Sequence, residues 1–82
     1  MKILYFAWLR EKIGVSFEEK EIKAVTVIGL IEELVLLDEK YSIAFSDLSF
    51  IRVAVDQKLI QDFKTSIKDA KEIAFFPPMT GG

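Results

Sequence analysis

Residues 2–9 form a nearly continuous apolar run, with Ile3, Leu4, Tyr5, Phe6, Trp8 and Leu9. A run of this length predicts a central strand covered on both faces. Arg10-Glu11-Lys12-Ile13-Gly14 ends it with charge and then glycine, and Gly14 is placed to take part in a turn. Residues 15–24 are mostly polar, anchored by Val15, Phe17 and Ile22, and read as a second strand near an edge, exposed on one face. From Thr26 the period changes. Val27, Leu30, Ile31, Leu34, Leu37 and Tyr41 fall at helical spacing, while Glu32, Glu33, Glu39 and Lys40 turn to solvent, predicting a helix over 27–41. Thr26 is its N-cap. The capping box is incomplete, because Gly29 stands where Glu or Gln belongs, and Gly29 costs the helix roughly 1 kcal/mol relative to Ala.

Residues 42–50 intersperse Ser42, Ser46, Asp47 and Ser49 with Ile43, Phe45, Leu48 and Phe50, which reads as an irregular connection with some side chains inside. Ile51-Arg52-Val53-Ala54-Val55 alternates cleanly and predicts a strand. Asp56-Gln57-Lys58 makes a turn, Leu59-Ile60 restarts a short strand, and Phe63 and Ile67 anchor a loop. Glu72-Ile73-Ala74-Phe75-Phe76 is the last strand, ended by Pro77-Pro78. The predicted order is β-β-α-β-β-β, an α+β domain with one main helix packed on one face of a sheet of about five strands. The first and last strands are the most apolar and form the natural central pair.

Length makes this one domain, since 82 residues leave no room for a second. The predicted division is a folded unit over 1–76 and an extended tail over 77–82. A chain of 51% hydrophobic and 29% charged residues has a globular balance. Seven Phe, one Trp and two Tyr supply much of a thin core, each ring burying roughly 150–250 Å².

Counting removes several chemistries. With no Cys there is no disulfide framework, no zinc–thiolate site and no thiol nucleophile. With no His there is no imidazole general base, and the commonest metal ligand is missing. A net charge of -2 argues against a nucleic-acid partner, which usually meets a basic domain. No apolar run approaches the ~20 residues of a membrane span, and Arg10 closes the first run with no small-residue cleavage site. A small domain without covalent staples fits the cytoplasm.

The chain ends Pro77-Pro78-Met79-Thr80-Gly81-Gly82, so half of its four glycines are its last two residues. Prolines hold a segment extended and offer no N–H to a sheet. Gly81-Gly82 carries no side chains, so it is thin enough to thread a narrow channel and leaves the α-carboxylate sterically bare. Such a carboxylate is a poor electrophile until activated, for example as an anhydride with AMP. No GxxxxGK phosphate loop is present, and the other glycines are Gly14 and Gly29. Activation with ATP therefore falls to another enzyme. The plain alternative is a frayed terminus.

These segments resemble the small subunit of molybdopterin synthase, the MoaD family of ubiquitin-like sulfur carriers with the β-grasp fold, nearly end to end. The resemblance is carried by Leu4-Tyr5-Phe6-Ala7-Trp8-Leu9-Arg10-Glu11, by Thr26-Val27, by Arg52-Val53-Ala54-Val55-Asp56-Gln57, and above all by Asp69-Ala70-Lys71-Glu72-Ile73-Ala74-Phe75-Phe76-Pro77-Pro78-Met79-Thr80-Gly81-Gly82. One departure is Ala70, where the family usually has Gly before the last strand. The resemblance implies a mixed β-grasp sheet and a chain that is not catalytic alone. An E1-like enzyme adenylates the Gly82 carboxylate with ATP, sulfur displaces AMP, and the resulting thiocarboxylate enters the large subunit of a heterotetrameric synthase. There its sulfur passes to a cyclic pyranopterin during molybdenum cofactor biosynthesis. No cofactor or metal is expected on this chain itself.

Phe76, Pro77, Pro78, Met79, Thr80 and Gly81 are the expected partner-binding residues. Phe75 and Phe76 point to opposite faces of a strand, so one belongs to the core and the other is either core under the helix or an exposed anchor for a partner. Trp8 is assigned to the core. The charged clusters at 10–12 and 18–23 read as a solvated loop and a charge-protected edge. Glu32 with Glu33, and Asp38 with Glu39, are adjacent on a helix and do not face each other, which argues against a paired-carboxylate site. Three other functions stay open. One is a modifier joined through Gly82 to lysines. Another is a sulfur carrier for thiamine thiazole, whose chains are typically shorter and lack Phe-Phe-Pro-Pro. The last is an interaction domain with an idle tail.

Overall fold

The computed structural model describes residues 1–78. Strand β1, Lys2–Tyr5, buries Ile3 and Tyr5 and turns Lys2 and Leu4 to the other face. Strand β5, Glu72–Phe76, does the same with Ile73 and Phe75. These two strands run parallel, in register from Lys2↔Glu72 to Tyr5↔Phe75. The short β2, Phe17–Glu19, lies antiparallel outside β1, and β3, Arg52–Val55, lies antiparallel on the other side of β5. A tight turn joins β3 to β4, Lys58–Ile60, giving the sheet order β2-β1-β5-β3-β4. The expected central pair is present, with β5 in the middle. This is the mixed five-stranded sheet that the family resemblance implies, with helices on one face.

The first apolar run is not a single strand. β1 stops at Tyr5, and Ala7–Ile13 is helix α1. Leu9 and Ile13, four residues apart, are its buried positions. The chain leaves the sheet at Ala7, whose φ is 54, just after the Phe6 N–H donates to the Phe75 carbonyl at 3.1 Å. Gly14 ends α1 in the left-handed conformation at φ 95, with its N–H on the Arg10 carbonyl. A short apolar run fits a strand or a buried helix equally well by periodicity, and here it holds one of each.

Helix α2 covers Val27–Val35, and the Thr26 side chain accepts from the Gly29 N–H as its predicted cap. The expected continuation to Tyr41 is broken. Asp38 has extended backbone and accepts from the Lys40 N–H, starting a separate helix α3 at Glu39–Ala44. Leu37, expected in the buried stripe, is therefore exposed together with Leu36, whereas Tyr41 reaches the core from α3. The connection over 42–50 is partly helical, with α3 running to Ala44 and a 3-10 turn at Leu48–Phe50. The second strand shrinks to three residues. The segment after β4 straps the start of α2, since the Val27 and Ile28 N–H groups donate to the Thr65 and Phe63 carbonyls. Ala70 is not among the positive-φ residues, so the turn before β5 does not require the family's usual Gly.

The core lies between sheet and helices. Ile3, Tyr5, Leu9, Leu30, Leu34, Tyr41, Val53, Ile73 and Phe75 are all buried in it. Phe75 stacks on Tyr5 at 6.2 Å between ring centroids and meets Phe45 edge-on at 4.9 Å, both favourable aromatic geometries.

Candidate functional site

β5 is hydrogen-bonded on both sides, so the point where the chain leaves the sheet is held firmly. Its last residue, Phe76, sits opposite Arg52 and is half-buried on the outer face, while Phe75 is fully buried. The expected division of labour between the two phenylalanines is therefore resolved. Pro77 has no N–H to continue the ladder, and the strand ends.

Pro77 and Pro78 do not stand clear of the domain. Both are half-buried, and they form one wall of an open groove of about 660 Å³ whose other walls come from α1 and the segment around α3. Trp8 and Lys12 line it from α1, and Ile43, Asp47 and Phe50 line it from the far side. The strand-to-helix break at Ala7 produces this arrangement, because a longer β1 would have carried Trp8 into the sheet. Trp8 is accordingly half-buried and groove-lining instead of a fully buried core residue. Asp47 accepts from the Ser49 N–H at 3.0 Å and the Ser49 hydroxyl at 2.6 Å, and these bonds hold its carboxyl below the usual carboxylate range.

The opposite face of the sheet carries one apolar row, beside a charged row of Glu19, Lys2 and Glu72. Register places Phe17, Leu4, Ala74, Ala54 and Leu59 side by side across all five strands. Phe17 and Leu59, at the two ends, are 54% and 60% exposed. Sequence reasoning missed this row, since β1 was expected to be covered on both faces.

Met79, Thr80, Gly81 and Gly82, the remaining predicted site residues, lie outside the described residues. Among the described residues no three Asp or Glu side chains gather in a way that could hold a metal ion. Among the described residues no helix is long and apolar enough to cross a membrane. The described part of the molecule thus offers a rigid tail root, an apolar groove beside it and an apolar row on the outer sheet face.

The chain matches the ThiS family over residues 3–82. It is 34% identical to the molybdopterin synthase sulfur carrier subunit of Escherichia coli (strain K12) over 82 residues, covering 100% of this chain and 99% of that protein. It is 35% identical to the subunit of the same name from Haemophilus influenzae, with the same coverage. Its fold superposes on the crystal structure of SAMP1 from Haloferax volcanii with a TM-score of 0.75 at 25% identity, covering 100% of this chain and 98% of that one. By a match that runs to the final Gly82, this chain belongs to the ThiS family, and it is similar along its whole length to sulfur carrier subunits of molybdopterin synthase.

Proposed function

We propose that this protein is the sulfur carrier subunit of a molybdopterin synthase, acting through its C-terminal carboxylate. The observation that carries the reading is the full-length similarity to two proteins of that name, in a chain whose central strand runs out through Pro77-Pro78 toward Gly81-Gly82. A Gly82 carboxylate oxygen attacks the α-phosphorus of ATP on an E1-like partner, and pyrophosphate leaves. A sulfur nucleophile then attacks the acyl carbon, and AMP leaves with the electron pair of the broken C–O bond. The thiocarboxylate so formed is carried into the large subunit, where its sulfur bonds to a carbon of the cyclic pyranopterin; water then attacks the acyl carbon and breaks the C–S bond, leaving the sulfur on the pterin and Gly82 as a carboxylate.

The lack of Cys and His agrees with this division of labour. Sulfur rides on the main chain, and the acid–base groups belong to the partners. Phe76, Pro77 and Pro78 form the root, Met79, Thr80 and Gly81 the threading segment, and Gly82 the reacting end. The apolar row on the outer sheet face offers a second contact area for these partners, since apolar and aromatic groups typically anchor interfaces. The reading places the protein in the cytoplasm beside its ATP-using partner.

The test is the intact mass of the protein after incubation with the activating enzyme, ATP and a sulfur source. The expected species has one oxygen replaced by sulfur, and deletion of Gly82 abolishes it without changing the thermal midpoint. A mass that stays that of the free carboxylate sinks the reading, and Gly82 found on lysines of other proteins in its place establishes the modifier.

A further inference from the structure

We infer that the groove between α1 and α3 seats an apolar side chain of the sulfur-accepting large subunit, with Lys12 on its rim meeting a carboxylate of that subunit. This rests on the sulfur-carrier reading. Four residues follow Pro78, and four extended residues span at most ~14 Å. A Gly82 that reacts inside a partner therefore brings that partner's surface within this distance of Pro78, over the groove that Pro77 and Pro78 wall.

The groove is built for such a cover. Ile43 and Phe50 are 52% and 59% exposed along it, and the half-buried Trp8 adds an aromatic wall. Asp47 stays an ionised carboxylate on the far side, held to Ser49, and Lys12, on the α1 side, is the groove's cation and the group that meets an acidic side chain. Two partners receive the tail, and the apolar character of the walls chooses between them. The resemblance places the large subunit, and not the activating enzyme, in an assembled synthase with this chain, and the interfaces of such assemblies are the more hydrophobic kind.

The test uses the full chain with the large subunit. Trp8 is the only tryptophan of this chain, so 5-fluorotryptophan placed there gives one fluorine resonance that reports the groove alone. It is expected to shift when the large subunit binds. Ile43→Asp and Phe50→Asp change exposed side chains and are each expected to weaken the complex about tenfold or more, while Lys12→Glu weakens it and flattens its salt dependence. Thiocarboxylate loading by the activating enzyme is expected to be unchanged in all three variants. Affinity within about twofold of the parent for both Asp variants overturns the inference, as does a resonance unmoved at saturation. Loading that falls in parallel with binding also overturns it, because the groove then serves the activating enzyme. A parent chain that never acquires the thiocarboxylate refutes the sulfur-carrier reading itself, a result distinguishable from the others because no variant is needed to see it.

Discussion

A single carboxylate oxygen ties together three elements of this domain. Glu18 Oε2, on edge strand β2, accepts from the Tyr5 hydroxyl of β1 at 2.9 Å and from the Tyr41 hydroxyl of α3 at 2.6 Å. Both tyrosines are buried, at 1% and 2% exposure, so their hydroxyls depend on this acceptor. Glu18→Gln keeps the shape and an acceptor but removes the charge. Hydrogen bonds to charged groups contribute about 1.5–3 kcal/mol and neutral ones about 0.5–1.5. Two such bonds, partly open to solvent, give an expected loss of about 1–2 kcal/mol. In a domain of this length that lowers the thermal midpoint by roughly 4–16 °C. A cycle combining Glu18→Gln with Tyr41→Phe is expected to show coupling of about 1 kcal/mol.

The pH dependence supplies the sign. Partial burial alone raises the Glu18 carboxyl, but the hydrogen bonds from Tyr41 and Tyr5, aided by Lys20 and Lys40, outweigh it and hold the group below its ordinary value. A depressed folded-state pKa means stability that is present above the unfolded value of about 4.3 and is lost as pH falls through the folded one. The gap between parent and Glu18→Gln is therefore widest near neutral pH and closes on acidification. Burial, and then the bond to Glu18, push the Tyr5 and Tyr41 hydroxyls far up. Their contribution is full below about pH 10 and is lost only at more alkaline pH. Thermal melts by circular dichroism at neutral and acid pH read both effects. A gap of equal size at both would refute the claim that the charge of Glu18 holds the three elements together.

Two turns give further tests. Asp56 has φ 49, and its Oδ1 accepts from the Lys71 and Glu72 N–H groups at 2.9 Å each. Asp56→Ala is expected to cost about 2–3 kcal/mol in urea unfolding and Asp56→Asn less than ~1, since Asn accepts the same bonds and tolerates the left-handed region. Gly14→Ala is expected to cost about 1–2 kcal/mol although a Cβ there meets nothing within 4 Å, because φ is 95. An unchanged midpoint for Gly14→Ala would refute the strain.

Chain positions with one dominant period were legible in the sequence, and positions where two periods competed were not. Ile51–Val55 alternates, and Arg52–Val55 of it is a strand, while the bounds of Glu72–Phe76 follow from the sequence as they stand. Val27, Leu30, Ile31 and Leu34 hold one helical face, and Thr26 caps it as expected. Leu37 and Tyr41 extend the same arithmetic, but Asp38 offers the Lys40 N–H a local side-chain partner and restarts the helix in another direction. The run to Leu9 failed for a related reason. Trp8 and Leu9 suit a buried strand as well as a helix, and the deciding contacts, Leu9 and Ile13 in the core and Phe6 on the Phe75 carbonyl, are tertiary.

These misreadings bear on function unequally. Gly82 and the tail can be named as candidates from the sequence because the chemistry proposed for them is covalent and local. The groove cannot, because it exists only after Ala7 swings α1 off the sheet and α3 starts afresh at Asp38, bringing Trp8 from one break and Ile43 from the other to the side of Pro77. On the proposed reading the reacting atom belongs to Gly82, and such a chain needs little from its fold at that atom. What the fold supplies is a fixed point of departure. β5 meets that need by running in the middle of the sheet, bonded to β1 and β3 along its length, so that its position is as firm as the domain itself and the partner can be aligned on the surfaces around it.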